Sequence, residues 1–166
     1  MANTKTYKIK EGKHFSGFRV SPTYNKNVSN YEVTFTKSCI YDLHNVDQLD
    51  VNKLFGLSYL YHHTNSARFG WRAEGDKIQI NVYCYRNGER YMKDMCLLDV
   101  DKTYSMELRN IGDYYEFEIK DATSVYYCYA KIPKPKTPKF GYKLWPYFGG
   151  NETVPHDMEI LMRKIK

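Results

Sequence analysis

Apolar and polar residues alternate with period two along much of the chain, and the Lys77–Tyr85 stretch shows it most clearly. Ile78, Ile80, Val82 and Cys84 fall on one side, while Gln79, Asn81, Tyr83 and Tyr85 fall on the other. In an extended chain, successive side chains point to opposite faces of a sheet. The same alternation or β-rich composition predicts strands at Thr6–Ile9, Tyr31–Thr36, Leu57–Tyr61, Ala67–Arg72, Tyr104–Leu108, Tyr114–Ile119, Tyr126–Lys131 and Met158–Met162. Turn residues separate them, and Arg86-Asn87-Gly88-Glu89 is a tight-hairpin signal because Asn-Gly accepts positive φ. One segment, Asp47–Phe55, reads as helical, with Asp50 able to cap a turn that stops before Gly56. Lys131–Lys139 contains Pro133, Pro135 and Pro138, so it is expected to be a connecting loop rather than a central strand. Many short strands with frequent turns predict an all-β fold, an antiparallel two-sheet β-sandwich, in one domain spanning 1–166.

A chain of 166 residues can bury a core without staples. Its 17 Tyr and 8 Phe supply large apolar areas, which argues against intrinsic disorder. The net charge of +6 fits either a polyanionic neighbour or a plain solvated surface, and the lysines are dispersed as far as Arg163-Lys164-Ile165-Lys166. The N-terminus has no apolar core of the kind a secretory signal carries, so synthesis in the cytoplasm is expected. No run approaches the ~18 consecutive apolar residues of a membrane span. Cys39, Cys84, Cys96 and Cys128 show no metal-ligand spacing and read as reduced thiols. Neither a metal nor a cofactor is expected.

Three groups of residues invite chemistry. Gln79, Asn81, Tyr83 and Tyr85 form an amide and phenol strip suited to stacking on, and hydrogen-bonding, a flat hydroxylated ligand. The bland alternative is a wet outer face, or one covered by a loop or a second subunit. His62 and His63 are adjacent, hence on opposite sides of an extended chain, and do not form a metal pair. Arg68 and Arg72 share a strand face, where guanidiniums bind carboxylates or phosphates, or pair with acids of the protein itself. Trp145-Pro146-Tyr147-Phe148-Gly149-Gly150 can make a stacking platform or an aromatic plug at one end of the sandwich. His156-Asp157 has no nucleophile motif beside it, and Asp157 reads as a turn cap. Glu116 and Glu118 sit in an ordinary polar-face pattern, which does not favour hydrolysis. The aromatics do not interleave with the lysines, so nucleic acid is not an expected partner.

Lys53-Leu54-Phe55-Gly56, the Asn65–Trp71 run, the Lys77–Tyr85 strand and Pro146–Asp157 together resemble concanavalin A-like jelly-roll sandwiches. The nearest set is the small proteins of bacteroidetes and their phages related to polysaccharide-lyase sandwiches. A family-7 type alginate lyase carries a Gln-Ile-His triplet on its concave sheet, completed by an Arg and a Tyr. The similar triplet here is Gln79-Ile80-Asn81, and asparagine cannot take up a proton at neutral pH as imidazole does. That departure counts against a lyase. The resemblance therefore implies a non-catalytic binding or structural module, including a virion-associated phage protein. It would contact glycans or other protein subunits through Arg68, Trp71, Gln79, Asn81, Tyr83, Tyr85 and Tyr147. The alternative is a carbohydrate-active enzyme, a polysaccharide lyase or glycoside hydrolase, using Arg68, Tyr83, Tyr147 and His156. A homo-oligomer whose tyrosine face is a subunit interface is the third expectation.

Overall fold

The computed structural model describes residues 3–17 and 21–165, so Lys166 of the C-terminal basic run lies outside the described residues. Its strands are β1 (Lys5–Ile9), β2 (Pro22–Tyr24), β3 (Val28–Phe35), β4 (Asn52–Tyr59), β5 (Ser66–Glu74) and β6 (Lys77–Arg86). They continue with β7 (Glu89–Asp99), β8 (Thr103–Ile111), β9 (Tyr114–Asp121), β10 (Tyr127–Pro133), β11 (Phe140–Leu144) and β12 (Met158–Lys164). All pairings between neighbouring strands are antiparallel. Sheet one runs β1-β12-β3-β8-β9-β10 and sheet two runs β2-β11-β4-β5-β6-β7, which makes the all-β sandwich that the alternation predicts. No helix among the described residues is long and apolar enough to cross a membrane.

Sheet one follows the period-two pattern. Tyr31, Val33 and Phe35, Tyr104, Met106 and Leu108, and Tyr115, Phe117 and Ile119 turn inward to the core. Its outward side carries ion pairs, with Arg109 bridging Glu107, Glu116 and Glu118. Glu116 and Glu118 thus sit among cations on a polar face.

Sheet two differs because β4, β5 and β6 are buried on both faces. One face meets sheet one through Ala67, Phe69, Trp71, Ile78, Ile80, Val82 and Cys84. Parts of the other lie beneath covering segments. Val51 sits against Gly70, and the Gln48 side chain donates to the Ala73 carbonyl.

The helix expected over Asp47–Phe55 is a single 3-10 turn, Val46–Leu49, followed by β4. Asn45 caps it, its side chain accepting from the Asp47 N–H, whereas Asp50 stands at the C-terminal end. A bulge between Lys53 and Gly56 breaks the alternation of β4, which explains the misleading helical pattern. The proline-rich stretch also begins inside a strand. Lys131–Pro133 closes β10 at the edge of sheet one, where a missing proline N–H removes no ladder bond from a central strand. β2, β7 and β11 had no alternating signature; β7 is an edge strand and β2 has only 3 residues.

Candidate functional site

Residues directly opposite in antiparallel strands share a face. Register therefore lays out rows across the outer side of sheet two. One runs Tyr142–Ser58–Ser66–Tyr85, and the next runs Leu144–Gly56–Arg68–Tyr83. Ser58, Ser66 and Gly56 keep the middle of these rows low beside Arg68, while rings rise at the ends, so the sheet forms the floor of a trough. Gly56 is required there. A Cβ at that position would lie 2.2 Å from the Ala67 carbonyl oxygen and 2.4 Å from the Cβ of Arg68.

Two segments wall the trough. The β4–β5 turn brings His62 and His63 over one end: Ser66 Oγ donates to the His62 carbonyl, and His62 Nδ1 lies 2.6 Å from Tyr142 Oη. His63 stands edge-on to Tyr85 with ring centroids 5.0 Å apart. At the other end Lys53 and Tyr147 exchange backbone hydrogen bonds of 2.8 and 2.9 Å. Gly149 then passes so close to β4 that its N–H donates to Asn52 Oδ1, and a Cβ there would strike the Val51 carbonyl oxygen. Phe15 packs on the Tyr147 ring and remains 63% exposed. The resulting cleft has a volume of about 580 Å³.

The lining is basic. Lys53, Arg68, Lys143, His62 and His63 contribute to it, and no carboxylate does among the described residues. Arg68 is 8% exposed, its Nε is buried without a partner, and it makes no ion pair among the described residues. Burial pulls its guanidinium down to about 10, while Tyr83, Tyr142 and Tyr85 hold it up, so it stays charged at neutral pH. Burial, reinforced by Arg68, draws the Lys53 ammonium down to about 8. Its Nζ sits 4.9 Å from the Tyr83 ring centroid and 5.9 Å from that of Tyr147. Burial, then Arg68 and His63, push His62 down to about 4, leaving its imidazole neutral at pH 7. A buried cation without a counter-ion, as Arg68 is among the described residues, is expensive, because neither water nor an anion compensates its lost hydration, whereas Asp50 offsets part of that cost for Lys53. The cleft is therefore set for an anionic group, with aromatic faces around it for stacking.

Arg68, Tyr83 and Tyr147, which the sequence singled out, line this cleft together, and Tyr85 flanks it through His63. Gln79 and Asn81 share the strand face but are sealed. Gln79 Nε2 donates to the carbonyls of Ile80 and Cys96, and the Asn81 amide donates to Asp94. Trp71 corrects the sequence reading outright. It is fully buried between the sheets against Phe35 and Tyr41, on the side of β5 away from the cleft.

Arg72 does not join Arg68 either, since it pairs with Asp94 and Glu74. His156 bonds the Ser38 carbonyl, Asp157 accepts from the Glu11 N–H and pairs with Lys8, and neither lines the cleft. Lys53, Tyr142 and Lys143 were not foreseen. Lys53 was hidden by the bulge, and the short strand that presents Tyr142 and Lys143 follows the proline-rich connection.

No known family model matches the sequence. No curated protein sequence matches it either. Solved structures do resemble it. A functionally unknown protein from Saccharomyces cerevisiae superposes with a TM-score of 0.58 at 10% identity, over 97% of this chain and 84% of that one. An alginate lyase from Klebsiella pneumoniae gives 0.56 at 9% identity, over 86% of this chain and 57% of the lyase. The enzymatically active domain of tailspike protein 2 from bacteriophage CBA120 gives 0.51 at 8% identity, over 98% of this chain and 28% of that one. Likeness at these identities establishes a shared sandwich fold.

Proposed function

We propose that this protein is a non-catalytic glycan-binding module that holds an acidic sugar in the cleft of sheet two. One observation carries the reading: Arg68 is buried, charged and unpaired among the described residues, at the floor of an aromatic-walled trough. A sugar carboxylate would supply the missing counter-ion, Lys53 would add a second positive contact, and Tyr83 and Tyr147 would stack on the ring. The sandwich shared with an alginate lyase and a phage tailspike supports a glycan-related role on a jelly-roll scaffold, read as one unit over 1–166. A virion-associated place for the protein belongs to the same reading.

A glycan array of neutral and uronic-acid oligosaccharides tests it. Selective retention of acidic glycans, reduced roughly 100-fold in a folded Arg68→Gln variant, is the expected result. A folded wild-type sample that binds no glycan would reject the reading. A dimer by light scattering would then support the reading of the tyrosine face as a subunit interface.

The enzymatic alternative has one contact in its favour. His62 and Tyr142 are hydrogen-bonded at the cleft, and a neutral imidazole beside a phenol can relay a proton. New ultraviolet absorbance from an unsaturated sugar, lost in Tyr142→Phe, would establish a lyase. Unchanged absorbance with intact binding favours the module.

A further inference from the structure

The two edge strands β7 and β10 belong to opposite sheets and meet along one side of the sandwich. Two hydrogen bonds tie β10 to sheet two at its ends. Tyr126 Oη, just before β10, donates to the Leu97 carbonyl at 2.9 Å, and Arg86 Nη1 donates to the Pro133 carbonyl at 3.3 Å. Cys96 and Cys128 lie beside the first tie. Cys96 is opposite Ile80 and Cys128 is opposite Ile119, and both isoleucines are fully buried core residues. Partners across a ladder share a face, so each cysteine points inward from its own sheet toward the other. Both are partly buried, packed against the core and free.

We propose that Cys96 and Cys128 form a reversible disulfide that staples sheet two to sheet one, made by exchange with a low-molecular-weight disulfide such as oxidised glutathione. The inference is independent of the glycan reading. Each thiol shifts the other across this edge. Its Cys128 neighbour, with burial, raises Cys96 above the ordinary thiol value. Its Cys96 neighbour holds Cys128 below that value. Cys128 is thus the readier nucleophile.

Its thiolate attacks one sulfur of oxidised glutathione, forming a mixed disulfide and expelling one glutathione thiolate. The Cys96 thiol then loses its proton, and its sulfur displaces the second glutathione from Cys128. The two glutathione thiolates take up the two cysteine protons, so two reduced glutathiones leave for each protein disulfide formed. Cys39 and Cys84 are more deeply buried, and burial pushes each up to about 12, so they stay out of the exchange.

The test incubates the full chain with oxidised glutathione, then counts free thiols after denaturation and maps peptides without reduction. The expected result is a fall from 4 thiols to two, a mass lower by two hydrogens, and a Cys96–Cys128 linked peptide. Cross-linking should also raise Tm by roughly 5–10 °C, because it closes a loop of about thirty residues in the unfolded chain. Cys128→Ser should abolish the cross-link, whereas Cys39→Ser should leave it. Retention of all thiols, stable glutathione adducts without a cross-link, or intermolecular dimers would overturn the proposal. Peptide mapping of the unmutated protein decides the matter even if a serine variant fails to fold.

Discussion

Lys53 and Arg68 place two cations against the same tyrosine ring, and Lys53 is the one whose charge can be switched near physiological pH. Below about pH 8 its ammonium adds to Arg68, and above that pH Arg68 stands alone. Affinity for an acidic oligosaccharide, followed by calorimetry, should therefore fall roughly tenfold from pH 7 to pH 9.5. Lys53→Met should remove most of that slope, and a slope unchanged in the variant would exclude Lys53 as a contact. Stability moves the other way. Between the folded value near 8 and the unfolded value of 10.5 the unfolded chain binds more protons, so the unliganded protein gains stability as pH rises. Lys53→Met should accordingly raise stability at pH 7, by roughly 1–3 kcal/mol, while weakening binding. Aromatic residues divide in the same manner. Trp71→Ala should cost about 3–5 kcal/mol in a denaturant melt, because it empties the core. Tyr147→Ala at the cleft wall should weaken binding and leave the melt within about 1 kcal/mol.

Strands β3, β8 and β9 were legible because each has one wet face and one dry one, so burial writes a period of two into the residues. β4 was not legible. Its bulge places Lys53 and Gly56 on the same face three residues apart, which resembles a helical spacing. The bulge and Gly56 together let Arg68 stand in the middle of the sheet with Lys53 beside it. Gly56→Ala tests that arrangement at the level of the element. The added methyl meets backbone, which cannot swing aside, so a loss of about 1–3 kcal/mol is expected in thermal unfolding. A neutral result would mean that β4 and β5 can separate without disturbing their ladder. β6 shows the converse limit. Its alternation named the face that carries the cleft, yet Gln79 and Asn81 are sealed on that face while Tyr83 lines the cleft. Asp94 and the backbone of β7 do the sealing, and that pairing is long-range rather than local.

At the scale of the molecule the two outer faces have different electrostatics. Sheet one balances its charges in the Arg109, Glu107, Glu116 and Glu118 network, whereas the cleft of sheet two gathers cations without lining carboxylates. Lys53, Arg68 and Lys143 therefore place positive charge in a recessed site where water screens it less than on the open surface. Binding of an acidic glycan should weaken roughly five- to tenfold between 50 and 500 mM salt, read by fluorescence titration. Salt-independent binding would point to stacking alone as the source of affinity.

The sequence by itself determined the class of fold and the faces of the regular strands, and it singled out Arg68, Tyr83 and Tyr147, which line one cleft. Those properties are local, since alternation, turn chemistry and residue type act over a few neighbouring positions. Tertiary structure decided which part of the sheet face stays open. Residues 37–51 and the Trp145–Gly150 segment come from distant parts of the chain, and their packing across sheet two covers one region and walls another. It also moved Trp71 to the core, joined Lys53 to Arg68 and set Tyr142 against His62. Strand register and loop closure make those contacts, and both are fixed by the free energy of the whole packed chain rather than by any single segment.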